Sequence, residues 1–225
     1  MISIKTIDQN LKNVESSIIE AEKNNSRLPN SVNLVAVSKT KAPELITAAL
    51  NVGHRRFGEN RVQETKTKWI DLKKNFPDVQ LHLIGPLQTN KAGLAVRLFD
   101  VIETIDRLKL AKAVARQMSE IGRRPDCFIQ VNTGKEPQKA GVFPEDTGSF
   151  IKQCRSELQL PITGLMCIPP TDEEPALHFG LLREIAERNN IKELSMGMSA
   201  DYKIAIQFGA TYVRIGTAVF GPRAD

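Results

Sequence analysis

Residues 194–221 read LSMGMSADYKIAIQFGATYVRIGTAVFG. This stretch holds two short β-like runs, each ending in a glycine-containing turn that opens toward a helix. The first passes from Glu193 and Leu194 into Ser195-Met196-Gly197-Met198-Ser199, the second from Thr211-Tyr212-Val213-Arg214-Ile215 into Gly216-Thr217. Turns of this kind leave backbone N–H groups unpaired at the positive end of a helix dipole, which suits a phosphate. Two in succession, late in a β/α chain, match the phosphate site that (β/α)8 barrels build after their seventh and eighth strands. Near the other end, the first strong strand, Asn33-Leu34-Val35-Ala36-Val37, runs directly into Ser38-Lys39-Thr40. An amine at one rim position and a phosphate cradle at another point to a phosphorylated aldehyde held as a Schiff base.

Between these two ends, short apolar runs alternate with helical patterns. Strands are expected near 33–37, 55–57, 80–84, 100–103, 126–131, 161–166, 193–194 and 211–215. Helices are expected near 43–51, 60–74, 89–97, 106–120, 144–157, 175–189 and 200–208, with a short terminal one from 217. A leading helix over about 4–24 places Ile7, Leu11, Val14 and Ile18 on one face. The alternation implies a parallel sheet with helices outside it, and eight units favour closure. The fold class is therefore α/β, a single (β/α)8 TIM-like barrel over 1–225 with an extra N-terminal helix. No Gly-x-Gly-x-x-Gly follows the first strand, so the fingerprint of a dinucleotide-binding sheet is missing.

Composition narrows the function classes. A chain of 225 residues, 41% hydrophobic, suits one domain with a sizeable core, at the short end for a barrel. No apolar run approaches the roughly 20 residues that span a bilayer, and the charged, polar N-terminus does not read as a signal peptide. The net charge is +5, but aromatics are only 5% and basic residues cluster no further than the pairs Arg55-Arg56 and Arg123-Arg124. That reads as solvated surface charge, not a nucleic-acid footprint. Cys127, Cys154 and Cys167 are odd in number and widely spaced. They match neither a zinc pattern nor a disulfide framework, which points to a reducing, cytoplasmic compartment. Cys127 and Cys167 sit in apolar strands and read as core residues. No motif suggests a metal.

Lys39 stands just past the first strand, where barrels place their chemistry, and a partly buried, cation-rich rim lowers a lysine toward the neutral form an imine needs. Ser199 serves either as N-cap of the helix expected from 200 or as a phosphate donor at the same terminus. Gly216 and Thr217 supply a backbone N–H and a hydroxyl, although Gly216 equally suits close packing. Arg214, inside an apolar strand, requires a partner: an ion pair with Glu103 or Glu59, or a ligand ring. The segments 58–61, with Asn60, and 84–91 bring polar groups to the same rim. His82, flanked by leucines, reads as a hydrogen-bonded core histidine. The irregular piece over 132–144 is either functional or mobile.

The runs VAVSKTK (35–41), FGENRVQE (57–64), LHLIGPLQTNK (81–91), GLMCIPP (164–170), LSMGMSADY (194–202) and VRIGTAVFG (213–221) stand in order over nearly the whole chain. They resemble the YggS/PROSC family, the pyridoxal 5′-phosphate (PLP) homeostasis proteins. The resemblance implies a fold-type III barrel similar to the N-terminal domain of alanine racemase. It implies PLP as cofactor, with the Schiff base on Lys39, the phosphate on Ser199, Gly216 and Thr217, and Arg214 beside the ring nitrogen. Asn60 and Met198 complete the expected cofactor-binding set, and no residue is expected to be catalytic. Two positions depart from the family pattern: Arg61 replaces a common Tyr, and the loop after the fifth strand is less acidic but keeps Lys139.

A cation beside the ring nitrogen disfavours its protonation and so weakens the cofactor as an electron sink. The racemase draws a catalytic Tyr from a second, β-rich domain that this chain is not expected to carry, and neither Tyr202 nor Tyr212 is expected at the reacting face. The expectation is therefore a cytoplasmic PLP carrier for intracellular PLP homeostasis and not an enzyme. Its partners are PLP and PLP-dependent apo-enzymes, without nucleic acid or membrane, and it is expected to be a monomer. The alternatives are an amino-acid racemase or other PLP enzyme, a Schiff-base aldolase on the same fold, and a nucleic-acid binder.

Overall fold

Short runs of branched and apolar residues pair side by side in chain order. In the computed structural model, which describes residues 4–222, the strands are β1 (Asn33–Val37), β2 (Arg56–Glu59), β3 (Gln80–Leu83), β4 (Val101–Ile105), β5 (Asp126–Val131), β6 (Ile162–Cys167), β7 (Glu193–Ser195) and β8 (Tyr212–Ile215). All neighbours are parallel and the barrel closes, with β1 beside β8 so that Val35 lies opposite Arg214 and Ala36 opposite Ile215. The helices are α1 (Ile4–Asn24), α2 (Pro43–Asn51), α3 (Val62–Asn75), α4 (Ala92–Leu98), α5 (Leu108–Ile121), α6 (Pro144–Ser156), α7 (Pro175–Arg188), α8 (Tyr202–Gln207) and α9 (Thr217–Phe220). Proline opens α2, α6 and α7, where its missing N–H removes no helical hydrogen bond. The expected TIM-like barrel with a leading helix is the fold observed.

The strands carry two apolar faces. Leu34, Ala36, Leu81, Leu83, Ile102, Ile129, Val213 and Ile215 pack outward into the core shared with the helices. Ile7, Leu11, Val14 and Ile18 of α1 are all buried there, as their spacing predicts. Inside the barrel, Val101, Phe128, Met166 and Tyr212 form a cluster of their own. A Cβ at Gly164 would stand 2.7 Å from the Phe128 ring, so the missing side chain makes room for it.

Several boundaries differ from the sequence expectation, and the differences matter to the rim. β4 continues to Ile105, with an irregular register against β5 between Ile102 and Ile105. Both of those isoleucines pack in the outer core. Helix α3 begins at Val62, so Asn60 and the extended Arg61 belong to the turn before it. Helix α8 begins at Tyr202, with Asp201 in the cap position. The expected Ser199 N-cap is therefore corrected: the Met198 N–H donates to Asp201 Oδ1 at 2.6 Å and tightens the turn, which leaves Ser199 exposed on the rim. The loop over 132–144 is tied down by a Val131–Val142 bridge and by Asn132 Nδ2 donating to the Glu136 carbonyl at 2.8 Å.

Among the described residues no helix is long and apolar enough to cross a membrane. All three cysteines are buried. Burial pushes the Cys154 and Cys167 thiols up to about 12 and Cys127 higher still, so none supplies a thiolate at neutral pH.

Acid sensitivity is built into the turn before β2. His54 packs edge-on against Phe57 at 5.1 Å, and its Nε2 meets the Arg56 carbonyl at 2.7 Å. Burial lowers its pKa from 6.5 to about 4, with the charges of Arg56 and Arg55 adding to the fall against that hydrogen bond. The unfolded chain therefore takes up this proton first. His54 costs nothing above the unfolded pKa and destabilises the fold progressively as pH drops toward 4. Allowing for the ring's residual solvent contact, the loss between pH 7 and 4.5 is about 2 kcal/mol. Urea unfolding of a His54→Gln variant is expected to lose that part of the acid dependence. An unchanged pH profile would refute the assignment.

Candidate functional site

The C-terminal ends of the strands converge on one cavity. Lys39 follows β1, Asn60 follows β2, Ile84 follows β3 and Ile168 follows β6. Met198, Ser199 and Ala200 lie in the turn after β7. Arg214 lies within β8, and Gly216 and Thr217 come directly after it. Together with Val37, Lys41 and Gly221 these residues line a cavity of about 360 Å³. All the residues singled out from the sequence as cofactor-binding, Lys39, Asn60, Met198, Ser199, Arg214, Gly216 and Thr217, meet there. A larger hollow of about 660 Å³ lies against α1 at the opposite end of the barrel, but carboxylates line it: Asp8, Glu15, Glu22 and Asp78.

The lining is chemically one-sided. Among the described residues it contains two lysines, an arginine, two hydroxyls and an amide, and no carboxylate. Asn60 Oδ1 is buried without a hydrogen-bond partner. Gly197 takes φ +91°, and a Cβ there would lie 2.6 Å from Ala205 Cβ, so the turn admits only glycine. Its carbonyl accepts the Arg214 N–H at 2.9 Å, which couples the β7 turn to β8. Gly216 fits both of its sequence readings. It lines the cavity, and a Cβ there would press on Val37 at 3.3 Å.

Arg214 is 4% exposed. Its Nη1 donates to Ser195 Oγ at 2.7 Å and its Nη2 to the Cys167 carbonyl at 2.8 Å. Ser195 in turn donates to Glu103 Oε2 at 2.6 Å, and the other Glu103 oxygen meets His82 Nδ1 at 2.6 Å. Of the readings left open for Arg214, a direct ion pair is not formed: Glu103 is its counter-charge through the Ser195 hydroxyl, and Glu59 belongs to a different cluster. Burial pushes the Glu103 carboxyl up. The hydrogen bond and charge of His82, the Arg214 guanidinium and the Ser195 hydroxyl outweigh it and hold the group below the usual carboxylate range. His82 is a core histidine, as expected. Ser195 escaped the sequence reading because a serine within a glycine-rich motif looks like part of the turn. Only its place at the end of β7, across from Arg214, shows its role.

The remaining candidates fall outside the cavity. Lys139 pairs with Glu136 at 2.6 Å. Arg61 lines a neighbouring hollow with Lys91 and Arg107. The Tyr202 hydroxyl donates to Ser17 Oγ at 2.9 Å and ties α8 to α1. Tyr212 stacks edge-on with Phe128 at 5.8 Å in the apolar cluster inside the barrel. Lys41 does reach the cavity, but its amine donates to the Gly221 carbonyl at 2.9 Å.

Comparison with known proteins gives the same reading. The family model described as alanine racemase, N-terminal domain, matches residues 3–224. A pyridoxal phosphate homeostasis protein of Vibrio alginolyticus is 39% identical over 230 residues, covering 98% of this chain and 99% of the relative. One from Pasteurella multocida is 40% identical over 229 residues, covering 97% and 98%. The solved structure of PipY from Synechococcus elongatus with PLP bound superposes with a TM-score of 0.81 at 36% identity, over 96% of this chain and 100% of that one. The likeness runs from end to end, and the chain belongs to the alanine racemase N-terminal-domain family, among its pyridoxal phosphate homeostasis proteins.

Proposed function

We propose that this protein holds pyridoxal 5′-phosphate in the rim cavity as a Schiff base on Lys39 and serves intracellular PLP homeostasis without catalysing a reaction of its own. The observation that carries the reading is the meeting of the Lys39 amine with hydroxyl, amide and guanidinium donors in a single cavity of about 360 Å³. That volume suits one small, phosphorylated aromatic ligand. The buried Asn60 Oδ1 lacks a donor, and a ring hydroxyl of the cofactor supplies one. Ser199, Gly216 and Thr217 hold the phosphate, Met198 packs at the rim, and Arg214 faces the ring nitrogen. When bound, the cofactor supplies an electrophilic aldehyde carbon and an aromatic ring able to withdraw electrons.

This chain's residues restrain that chemistry. Arg214 carries a positive charge that opposes protonation of the ring nitrogen. Among the described residues no tyrosine, histidine or carboxylate lines the cavity to act as an opposing base. The whole of 1–225 acts as one binding unit, a cytoplasmic monomer that passes its cofactor to PLP-dependent apo-enzymes and engages neither nucleic acid nor membrane.

A visible spectrum of the purified protein, taken before and after borohydride reduction, is the direct test; an imine band that reduction bleaches is expected. The loaded protein is expected to exchange the α-proton of L- or D-alanine in deuterated buffer no faster than free PLP does. Saturable exchange that disappears in a Lys39→Ala variant would overturn the carrier reading in favour of a racemase.

A further inference from the structure

The loop that carries Lys39 is fastened on both sides of that residue to one cluster outside the cavity lining, buried at Glu59 and Lys68 and partly exposed at Glu64. On the N-terminal side, the Ser38 hydroxyl donates to Glu59 Oε1 at 2.7 Å, and the Ser38 carbonyl accepts from Lys68 Nζ at 2.9 Å. On the C-terminal side, the Thr40 N–H donates to Glu64 Oε1 at 2.6 Å. Thr40 is held at φ +61°, a left-handed conformation that a β-branched residue adopts only where its surroundings impose it. Lys68 joins the two sides, for its ammonium stands 2.8 Å from Glu59 Oε1 and 2.8 Å from Glu64 Oε1. It donates to the Ser38 carbonyl and to Glu64 Oε1, and its contact with Glu59 Oε1 is an ion pair. Trp69 Nε1 adds a hydrogen bond to Glu59 Oε1 at 3.0 Å. The Lys68 side chain is 9% exposed and that of Glu59 fully buried. None of Glu59, Glu64 and Lys68 lines the cavity.

From this geometry we infer that Lys68, with Glu59 and Glu64, positions the Lys39 amine for condensation. The inference rests on the proposed Schiff base and adds the group that prepares it. Condensation forms a C=N bond as the carbonyl oxygen leaves with two protons as water, so the nitrogen must meet the aldehyde carbon along a defined approach. A four-carbon side chain on a loose loop samples many approaches. Residues 38 and 40, clamped to one ammonium, fix the backbone from which Lys39 projects. Glu64 and Lys68 lie one turn apart on α3, and Glu59 ends β2, so the clamp ties the loop after β1 to β2 and α3. A neutral residue at position 68 would leave two carboxylates beside each other without their shared cation. Their repulsion would then act on the backbone at positions 38 and 40.

The test separates condensation from binding. Imine formation is read as the fraction of Lys39 trapped by borohydride across a PLP titration. Non-covalent binding is read with pyridoxine 5′-phosphate, which keeps ring and phosphate but has an alcohol in place of the aldehyde. For Lys68→Met, the imine formation constant is expected to fall about tenfold or more, while pyridoxine 5′-phosphate affinity stays within about twofold of wild type. Should Lys68→Met fail to fold, Glu64→Gln is expected to show the same split at about three- to tenfold, because it removes one charge but keeps an acceptor for Thr40. Unchanged imine formation overturns the inference, as does an equal fall in both constants, which would mark general damage to the site. A wild-type protein with no adduct at Lys39 strikes down the Schiff-base reading itself, and that result is read before any variant is made.

Discussion

Replacing Lys39 with Ala is expected to abolish the borohydride-stable adduct and to lower PLP affinity by at least about 100-fold, roughly 3 kcal/mol. The covalent link is lost outright, and the remaining amines are badly placed to substitute. Lys41 reaches the cavity, but its amine is engaged by the Gly221 carbonyl at 2.9 Å. Lys139 is paired with Glu136 at 2.6 Å and does not line the cavity. Peptide mapping after reduction of the wild-type protein should therefore place the pyridoxyl group on the peptide that contains Lys39. Recovery mainly on Lys41 or Lys139 would refute the assignment, and a Lys39→Ala variant that still bleaches on reduction would do the same.

Pyridoxal, which lacks the phosphate, is expected to bind at least about 100-fold more weakly than PLP. Charge-assisted hydrogen bonds contribute roughly 1.5–3 kcal/mol each. The rim offers several donors at once: the Ser199 and Thr217 hydroxyls and the backbone around Gly216, all lining the same cavity. The cradle should therefore be additive enough that deleting one donor hurts less than deleting the phosphate. Ser199→Ala is expected to cost about 1–2 kcal/mol in PLP affinity, near tenfold, and to leave pyridoxal affinity unchanged. Competition titrations with the two aldehydes check both statements. Equal affinities for pyridoxal and PLP would rule out a phosphate site in the turns after β7 and β8.

The architecture, and which residues gather at the rim cavity, were legible in the sequence. Apolar runs with a period near two, separated by runs with a period near 3.6, can bury their faces only as a parallel sheet surrounded by helices. Eight such units close. Once the barrel is accepted, every residue just past a strand end must share one rim, which is why Lys39 and Thr217, far apart in the chain, could be placed together from the sequence. The α1 stripe from Ile7 to Ile18 was legible for the same reason, since its period alone states which side is buried.

Helix starts were legible only where a residue type carries the signal. Pro43, Pro144 and Pro175 mark theirs, because the ring dictates a first-turn position. The starts of α3 and α8 carry no such mark. Whether Ser199 or Asp201 takes the cap before α8 depends on a hydrogen bond from Met198 that competes with the helix.

What only the tertiary structure decided is how the buried charges are shared out. From the sequence, Arg214 had two acidic candidates, Glu103 and Glu59, and nothing in their spacing separates them. Closure of the barrel separates them by bringing strands remote in the chain to specified heights. Ser195 on β7 is set between Arg214 on β8 and Glu103 on β4, while Glu59 on β2 meets Lys68 on the helix that follows. A periodicity of two or 3.6 states which face a side chain occupies. It does not state how far along the barrel axis that side chain lies relative to one on another strand, and at hydrogen-bond range that height decides the partner.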